Sequence, residues 1–195
     1  MRKFSRGKPY REACKIVLLI CEGDSEAVYF NNFNKREWNF IRIRTINTDK
    51  TDPINLIISA KRQKQKMNPE STWCIFDIES KNQEMIDKVV KSAGQNIRII
   101  SSNPCYELWL LLHFQIVWAN LNVEDTIRIL KNHIPTYCKG KNFFEDTEPI
   151  TKTAIDNSKR LEKHHIGLPE YSINRNPSTK IYDVVEHIFD LINRR

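Results

Sequence analysis

The chain has 195 residues, 31 lysines and arginines against 24 aspartates and glutamates, and a formal net charge of +7. That length supports one full core with a helical extension, and no apolar run approaches the roughly 20 residues of a bilayer span, Leu108 to Phe114 being too short. Cys14, Cys21, Cys74, Cys105 and Cys138 are scattered with no C-x-x-C pair, so neither a disulfide framework nor a zinc ribbon is suggested, and most are expected to be small buried hydrophobes.

Met1 to Arg11 carries Arg2, Lys3, Arg6, Lys8 and Arg11 and lacks the apolar region of a secretory signal, so residues 1–13 are expected to form a basic arm on a cytoplasmic protein. Ile16 to Ile20 is short, continuous and partly β-branched, the pattern of a strand buried on both faces in a parallel sheet. It ends in Glu22-Gly23-Asp24-Ser25-Glu26. Gly23 permits a tight turn there, and Asp24 or Ser25 can cap a helix from Glu26 to about Trp38, with Phe30 and Phe33 at helical spacing.

Phe40 to Ile46 alternates Arg42 and Arg44 against Ile41, Ile43 and Thr45, which predicts a strand. Asp52 caps and Pro53 opens a helix reaching about Met67. A second buried strand from Trp73 runs into Asp77-Ile78-Glu79-Ser80, and in extended backbone Asp77 and Glu79 point to the same side. A helix from Gln83 to about Ala93 stopped by Gly94, a strand from Ile97 to Ser101, and an apolar helix opened by Asn103-Pro104 complete the alternation. The order βαβαβαβα predicts an α/β parallel sheet flanked by helices over residues 14–116.

Beyond Val117 polar, helix-like segments are broken by Pro135, Gly140, Pro149 and Gly167. Val123 to Ile134 and Pro177 to Asn193 carry apolar residues at helical spacing, with Asn176 placed to cap the second of them. Residues 117–195 are expected to be a helical extension packed on the core, and Tyr171 to Arg175 a loop. Tyr106 and Trp109 fit the core better than a base-stacking surface. His164 and His165 fit a surface helix better than a ligand pair. Glu107, in so apolar a setting, must cap, pair or face a cleft, because burying it alone is costly.

Ligand sites in open α/β sheets form at the carboxyl ends of the strands, where Glu22, Asp77 and Glu79 stand. Carboxylates converging from separate strands repel unless a cation lies between them, and an all-oxygen set suits Mg2+ or Mn2+ better than zinc. Single acidic strand ends are commonly caps or solvated loops; two in this order favour a metal site. Glu26, one helical turn after Glu22, is a further ligand or support, and Glu107 a supporting residue.

Lys61, Arg62, Lys64 and Lys66 form one basic cluster, and Lys139, Lys141, Lys159, Arg160 and Lys163 another. Each alone is an ordinary solvated face, but the whole pattern favours a nucleic-acid partner, with Lys61, Arg62, Lys64, Lys139 and Lys141 as contacts. There is no G-x-x-x-x-G-K-[ST] motif, so P-loop nucleotide binding is not expected.

Glu22-Gly23-x-x-Glu26-x-x-Tyr29-Phe30, Asp77-x-Glu79, the segment Ser102-Asn103-Pro104-Cys105-Tyr106-Glu107-Leu108-Trp109-Leu110-Leu111-Leu112-His113-Phe114, Tyr137-Cys138-Lys139-Gly140-Lys141 and Asn176-Pro177-Ser178-Thr179 together resemble the RloB-like family, a branch of the Toprim superfamily, from about Lys15 onward. The resemblance implies a Rossmann-like Toprim sheet and a Mg2+- or Mn2+-dependent nuclease in which Glu22, Asp77 and Glu79 are catalytic and metal-binding. It also implies a separately encoded ABC- or AAA-type ATPase partner in antiphage, abortive-infection defence. Glu79 stands where the superfamily commonly has aspartate, and its extra methylene shifts a bound ion. The substrate is left open between RNA, transfer RNA included, and DNA. A non-catalytic module binding nucleic acid or an ATPase around a structural cation, and a nucleotidyl transferase, are the alternatives.

Overall fold

A computed structural model describes residues 14–35, 40–47, 52–79 and 81–194. The predicted basic arm, the far end of the first predicted helix and Ser80 lie outside the described residues. Among the described residues five strands form one sheet: β1 (Lys15–Cys21), β2 (Ile41–Asn47), β3 (Ser71–Asp77), β4 (Arg98–Asn103) and β5 (Ser178–Thr179), in the order β2-β1-β3-β4-β5. The first four are mutually parallel, and β5 runs antiparallel to β4. The expected α/β parallel sheet flanked by helices is present, with a Rossmann-like arrangement of its strands.

Strand alternation builds two cores. Val17, Leu19 and Cys21 of β1, with Trp73 and Ile75 of β3, face a cluster with Phe30, Trp109, Leu161 and Val184. Leu18, Ile20, Cys74 and Phe76 face the opposite way, onto Leu56, Ile57, Ile86 and Val89. The first side is covered by α1 (Asp24–Asn31), α4 (Glu107–Leu111), α5 (Val123–His133), α6 (Phe144–Thr147), α7 (Thr151–His164) and α8 (Ile181–Asn193), the second by α2 (Pro53–Met67) and α3 (Gln83–Ala93). β2 lies at the edge, and its exposed Arg42 and Arg44 alternate with buried Ile41 and Ile43 as the sequence predicts.

Local signals place the helices of the second layer. Asp52 accepts from Ile54 N–H at 2.9 Å with Pro53 in the first turn, and Asn82 accepts from Met85 N–H at 2.9 Å. Such caps satisfy amide donors that a helix start leaves orphaned.

Several boundaries differ from expectation. α1 ends at Asn31 and passes into a single 3-10 turn, Asn32–Lys35. Asn32 turns its amide back onto Val28 O at 2.7 Å, and Asn34 holds both the N–H and the carbonyl of Ile43 at 2.8 Å, so the chain is diverted to β2. α4 (Glu107–Leu111) starts later than Asn103-Pro104, because Ser102 and Pro104 still accept from the Ile78 and Glu79 amides.

α5 (Val123–His133), α6 (Phe144–Thr147) and α7 (Thr151–His164) follow, and α8 (Ile181–Asn193) starts after Pro177. Asn176 does not cap α8: its side chain holds Leu121 through N–H and carbonyl, at 2.9 and 2.8 Å. Ser178 and Thr179 instead add β5, and Ser102 Oγ meets Thr179 Oγ1 at 2.8 Å. His165, expected at the surface, is buried with Nε2 3.0 Å from Pro177 O, whereas His164 is exposed. Tyr106 and Trp109 are buried, as are Cys21, Cys74 and Cys105. No helix among the described residues is long and apolar enough to cross a membrane.

Candidate active site

β1 pairs with β2 on one side and β3 on the other, so the winding direction reverses between β1 and β3. A crevice opens outside the carboxyl ends of strands at such a reversal. Here the two strand tips are Glu22 and Asp77. The Glu22 amide extends the pairing by donating to Ile75 O at 3.0 Å, and the Glu22 carboxylate accepts from Asp77 N–H at 3.0 Å.

A cavity of about 610 Å³ lies at this point, lined by Glu22, Asp24, Glu26, Asp77, Glu79 and Glu107, by Lys81 and Lys139, and by Gly23, Ser25, Met85, Tyr106 and Gly140. Glu22, Glu26, Asp77, Glu79 and Glu107 are thus brought together. β3 stops at Asp77, however, and Glu79 sits in the following turn. Its place beside Asp77 comes from the Glu79 amide donating to Pro104 O at 3.1 Å.

Gly23 is required by contact, not by its backbone angles. It caps α1 in an extended conformation, φ −119 and ψ 167, open to any residue, but a Cβ there would lie 2.7 Å from Glu26 Oε2. Glu26 is the third residue of α1, from which a glutamate side chain turns back toward the cap. Burial of Glu26, with Glu107 and Glu22 nearby, raises its carboxyl from the usual range to about 7. Tyr29 and Phe30, completing that motif, anchor the helix in an aromatic cluster, with the Tyr29 ring 5.3 Å from Phe144 and 6.4 Å from Trp109.

Asp77 is the most constrained acid. Burial pushes its carboxyl well above the normal carboxylate range, and Glu26, Glu107 and Glu22 push it further. Its Oδ1 is inaccessible to solvent and has no hydrogen-bond partner among the described residues. Buried acceptors of this kind normally carry a partner.

Two lysines oppose the acids. Lys81 Nζ lies 3.0 and 3.3 Å from the two Glu22 carboxylate oxygens, and its side chain is only 9% exposed. Lys139, exposed at the mouth, stands 3.9 Å from Glu107 Oε1. Burial works against the charge of Lys139, but Glu107, Cys105, Asp77 and Glu79 outweigh it and hold the ammonium above its ordinary range. The buried Glu107 carboxylate accepts from Tyr137 Oη at 2.5 Å, so its expected partner is found within the chain. Gly140 N–H donates to Ser25 Oγ at 3.0 Å and ties the Tyr137-to-Lys141 loop to α1.

The predicted nucleic-acid contacts do not share one place. Lys61 and Lys64 line a separate groove with Gly94 and Asn96, at the end of the sheet where β4 begins, and Lys64 Nζ donates to Asn96 O at 3.0 Å. Arg62 is exposed on the same helix, and Lys141 is exposed outside the acidic cavity's lining. Only Lys139 of the five lines the cavity. Sequence reasoning missed Lys81 and the role of Tyr137, and offered Asp24 or Ser25 as the cap of α1; Gly23 holds that position, and the Asp24 carboxylate accepts from Asn47 Nδ2.

The donor chemistry fits a hard divalent cation: the acids are all oxygen donors, and a buried Asp77 oxygen lacks a partner. Among the described residues, however, no three His, Cys, Asp or Glu side chains are arranged as a finished metal cage. Glu22 is held by Lys81 and the Asp77 amide, so completing a cage requires side chains to turn.

No curated protein and no solved structure matches this chain. A family model described as RloB-like protein matches residues 17–188, a span that takes in every residue lining the cavity, and the chain therefore belongs to the RloB-like family.

Proposed function

We propose that this RloB-like protein is a Toprim-type, metal-dependent nuclease of the cytoplasm that cleaves phosphodiester bonds in RNA or DNA, acting in antiphage defence under a separately encoded ABC- or AAA-type ATPase. The observation that carries the proposal is the convergence of carboxylates from β1, α1, β3 and α4 on one cavity at the switch point, with a buried Asp77 oxygen unpaired.

Mg2+ or Mn2+, held by Glu22, Asp77 and Glu79 with Glu26 beside them, would supply positive charge against the scissile phosphate and acidify the attacking water or hydroxyl. The chain's own groups do the rest. Lys139 presents an ammonium at the mouth, where a phosphate enters. The Asp77 amide fixes Glu22 as ligand or proton acceptor. The Tyr106 wall and the buried Glu107–Tyr137 pair keep bulk water from the floor.

The arrangement of the acids, with no finished cage among the described residues, favours a second reading: a non-catalytic binding module whose carboxylates are partly offset by Lys81 and Lys139. One experiment separates them. The protein, with its partner ATPase, is incubated with transfer RNA, other RNA and DNA in Mg2+ or Mn2+, and again in EDTA. Cleavage that needs the metal and is lost in Glu22→Ala supports the nuclease; binding of nucleic acid without metal-dependent cleavage supports the module.

A further inference from the structure

Lys81 and a divalent cation want the same carboxylate. The Lys81 ammonium spans both Glu22 oxygens, at 3.0 and 3.3 Å, and among the described residues its hydrogen bonds go to Glu22. Glu22 is oriented as well as neutralised, because the Asp77 amide also donates to its Oε2, at 3.0 Å. Among the described residues six carboxylates line the cavity against two ammonium groups, and Lys81 is the more enclosed of the two. The lysine is also placed to leave. It sits in the turn after β3, tied at its backbone by Lys81 N–H to Ile78 O at 3.0 Å, and a four-carbon stem can swing its head without moving that turn.

We propose that Lys81 is a resident counter-cation for Glu22 that a divalent metal must displace, so that this one side chain sets the metal concentration at which the site fills. The proposal rests on the metal-dependent reading of the cavity and adds its regulation. Displaced from Glu22, the Lys81 ammonium remains over the cavity, where it can meet a phosphate oxygen of the substrate. Filling the site thus turns a charge that blocks the metal into one that favours the substrate.

Mn2+ binding to the full-length protein, read from the loss of the free-ion electron paramagnetic resonance signal, needs no catalytic activity. Lys81→Met, which keeps the stem and removes the charge, is expected to bind Mn2+ about tenfold more tightly than wild type, within the ordinary range of coupling between two sites. Glu22→Gln is expected to bind far more weakly. Equal or weaker binding in Lys81→Met, with wild type still binding, overturns the competition and leaves the metal reading standing. Binding by neither protein overturns both.

The second measurement uses wild type and so does not depend on how the variant folds. By reciprocity, saturating Mn2+ should expose Lys81, raising its acetylation by an amine-reactive reagent several-fold, as mapped by mass spectrometry. Unchanged or lower labelling of Lys81 in Mn2+ overturns the proposal.

Discussion

The Tyr137 hydroxyl donates to Glu107 Oε1 at 2.5 Å, joining the loop after α5 to the first residue of α4 across 30 positions of sequence. Both residues are buried, and burial together with Glu107 pushes the Tyr137 phenol far above its usual range, so it stays a donor. Tyr137→Phe leaves the ring and removes the donor. The Glu107 carboxylate then loses its close phenol donor, and the expected cost is about 1–3 kcal/mol, measured by urea unfolding. An unchanged midpoint would remove the pair from the structural account.

Gly23→Ala tests the close approach at the start of α1. The backbone there is extended, so the fold should survive with a small change in melting temperature. The Glu26 carboxylate must move, because the new Cβ would meet its Oε2 at 2.7 Å. Displacement of this size at a reacting centre is expected to reduce cleavage by about tenfold to a hundredfold. Wild-type rates in Gly23→Ala would show that the position of Glu26 does not matter.

His113 should make the protein acid-sensitive. Its ring is buried, Nδ1 lies 2.9 Å from Trp109 O, Nε2 has no partner among the described residues, and burial lowers its pKa from 6.5 to about 4. Below pH 6.5 the unfolded chain binds a proton that the folded chain refuses, so stability is lost as pH falls from about 6.5 to about 4 and levels off below. The loss is on the order of 3 kcal/mol. Glu26, with its raised pKa, acts in the opposite direction, so the readout is the difference between wild type and His113→Phe. Parallel melting curves across that pH range would exclude His113 as the cause.

The two lysine-lined regions make different predictions for nucleic-acid binding. Lys139→Ala should weaken binding in EDTA and reduce the slope of log affinity against log salt by about one. Lys61→Ala, in the groove at the far end of the sheet, should leave both nearly unchanged. Anisotropy titrations of single-stranded RNA and DNA measure this, and a larger effect at Lys61 would move the binding surface to α2.

The parts of the fold that were legible carry a signal within a few residues. β1 and β3 are continuous apolar runs, β2 alternates, and Asp52, Pro53 and Gly94 mark helix ends that the structure keeps. β5 was missed because two residues have no periodicity, and Asn176-Pro177 reads as a cap until Leu121 is seen to hold the Asn176 side chain. The acids were legible because they end buried strands. Lys81 was not, since a single lysine in a turn looks solvated until Glu22 is placed against it. Glu107 was recognisable as needing a partner, but nothing local names Tyr137.

Asp77→Asn separates a catalytic metal site from a merely acidic cleft. The asparagine keeps the shape of the side chain while removing a charge that burial and three neighbouring carboxylates oppose. Mn2+-supported cleavage of nucleic acid, with the partner ATPase present, is expected to fall by at least about a hundredfold, while the metal-free melting temperature stays level or rises, as at sites where function costs stability. Cleavage at the wild-type rate in a folded Asp77→Asn protein would contradict the catalytic metal site.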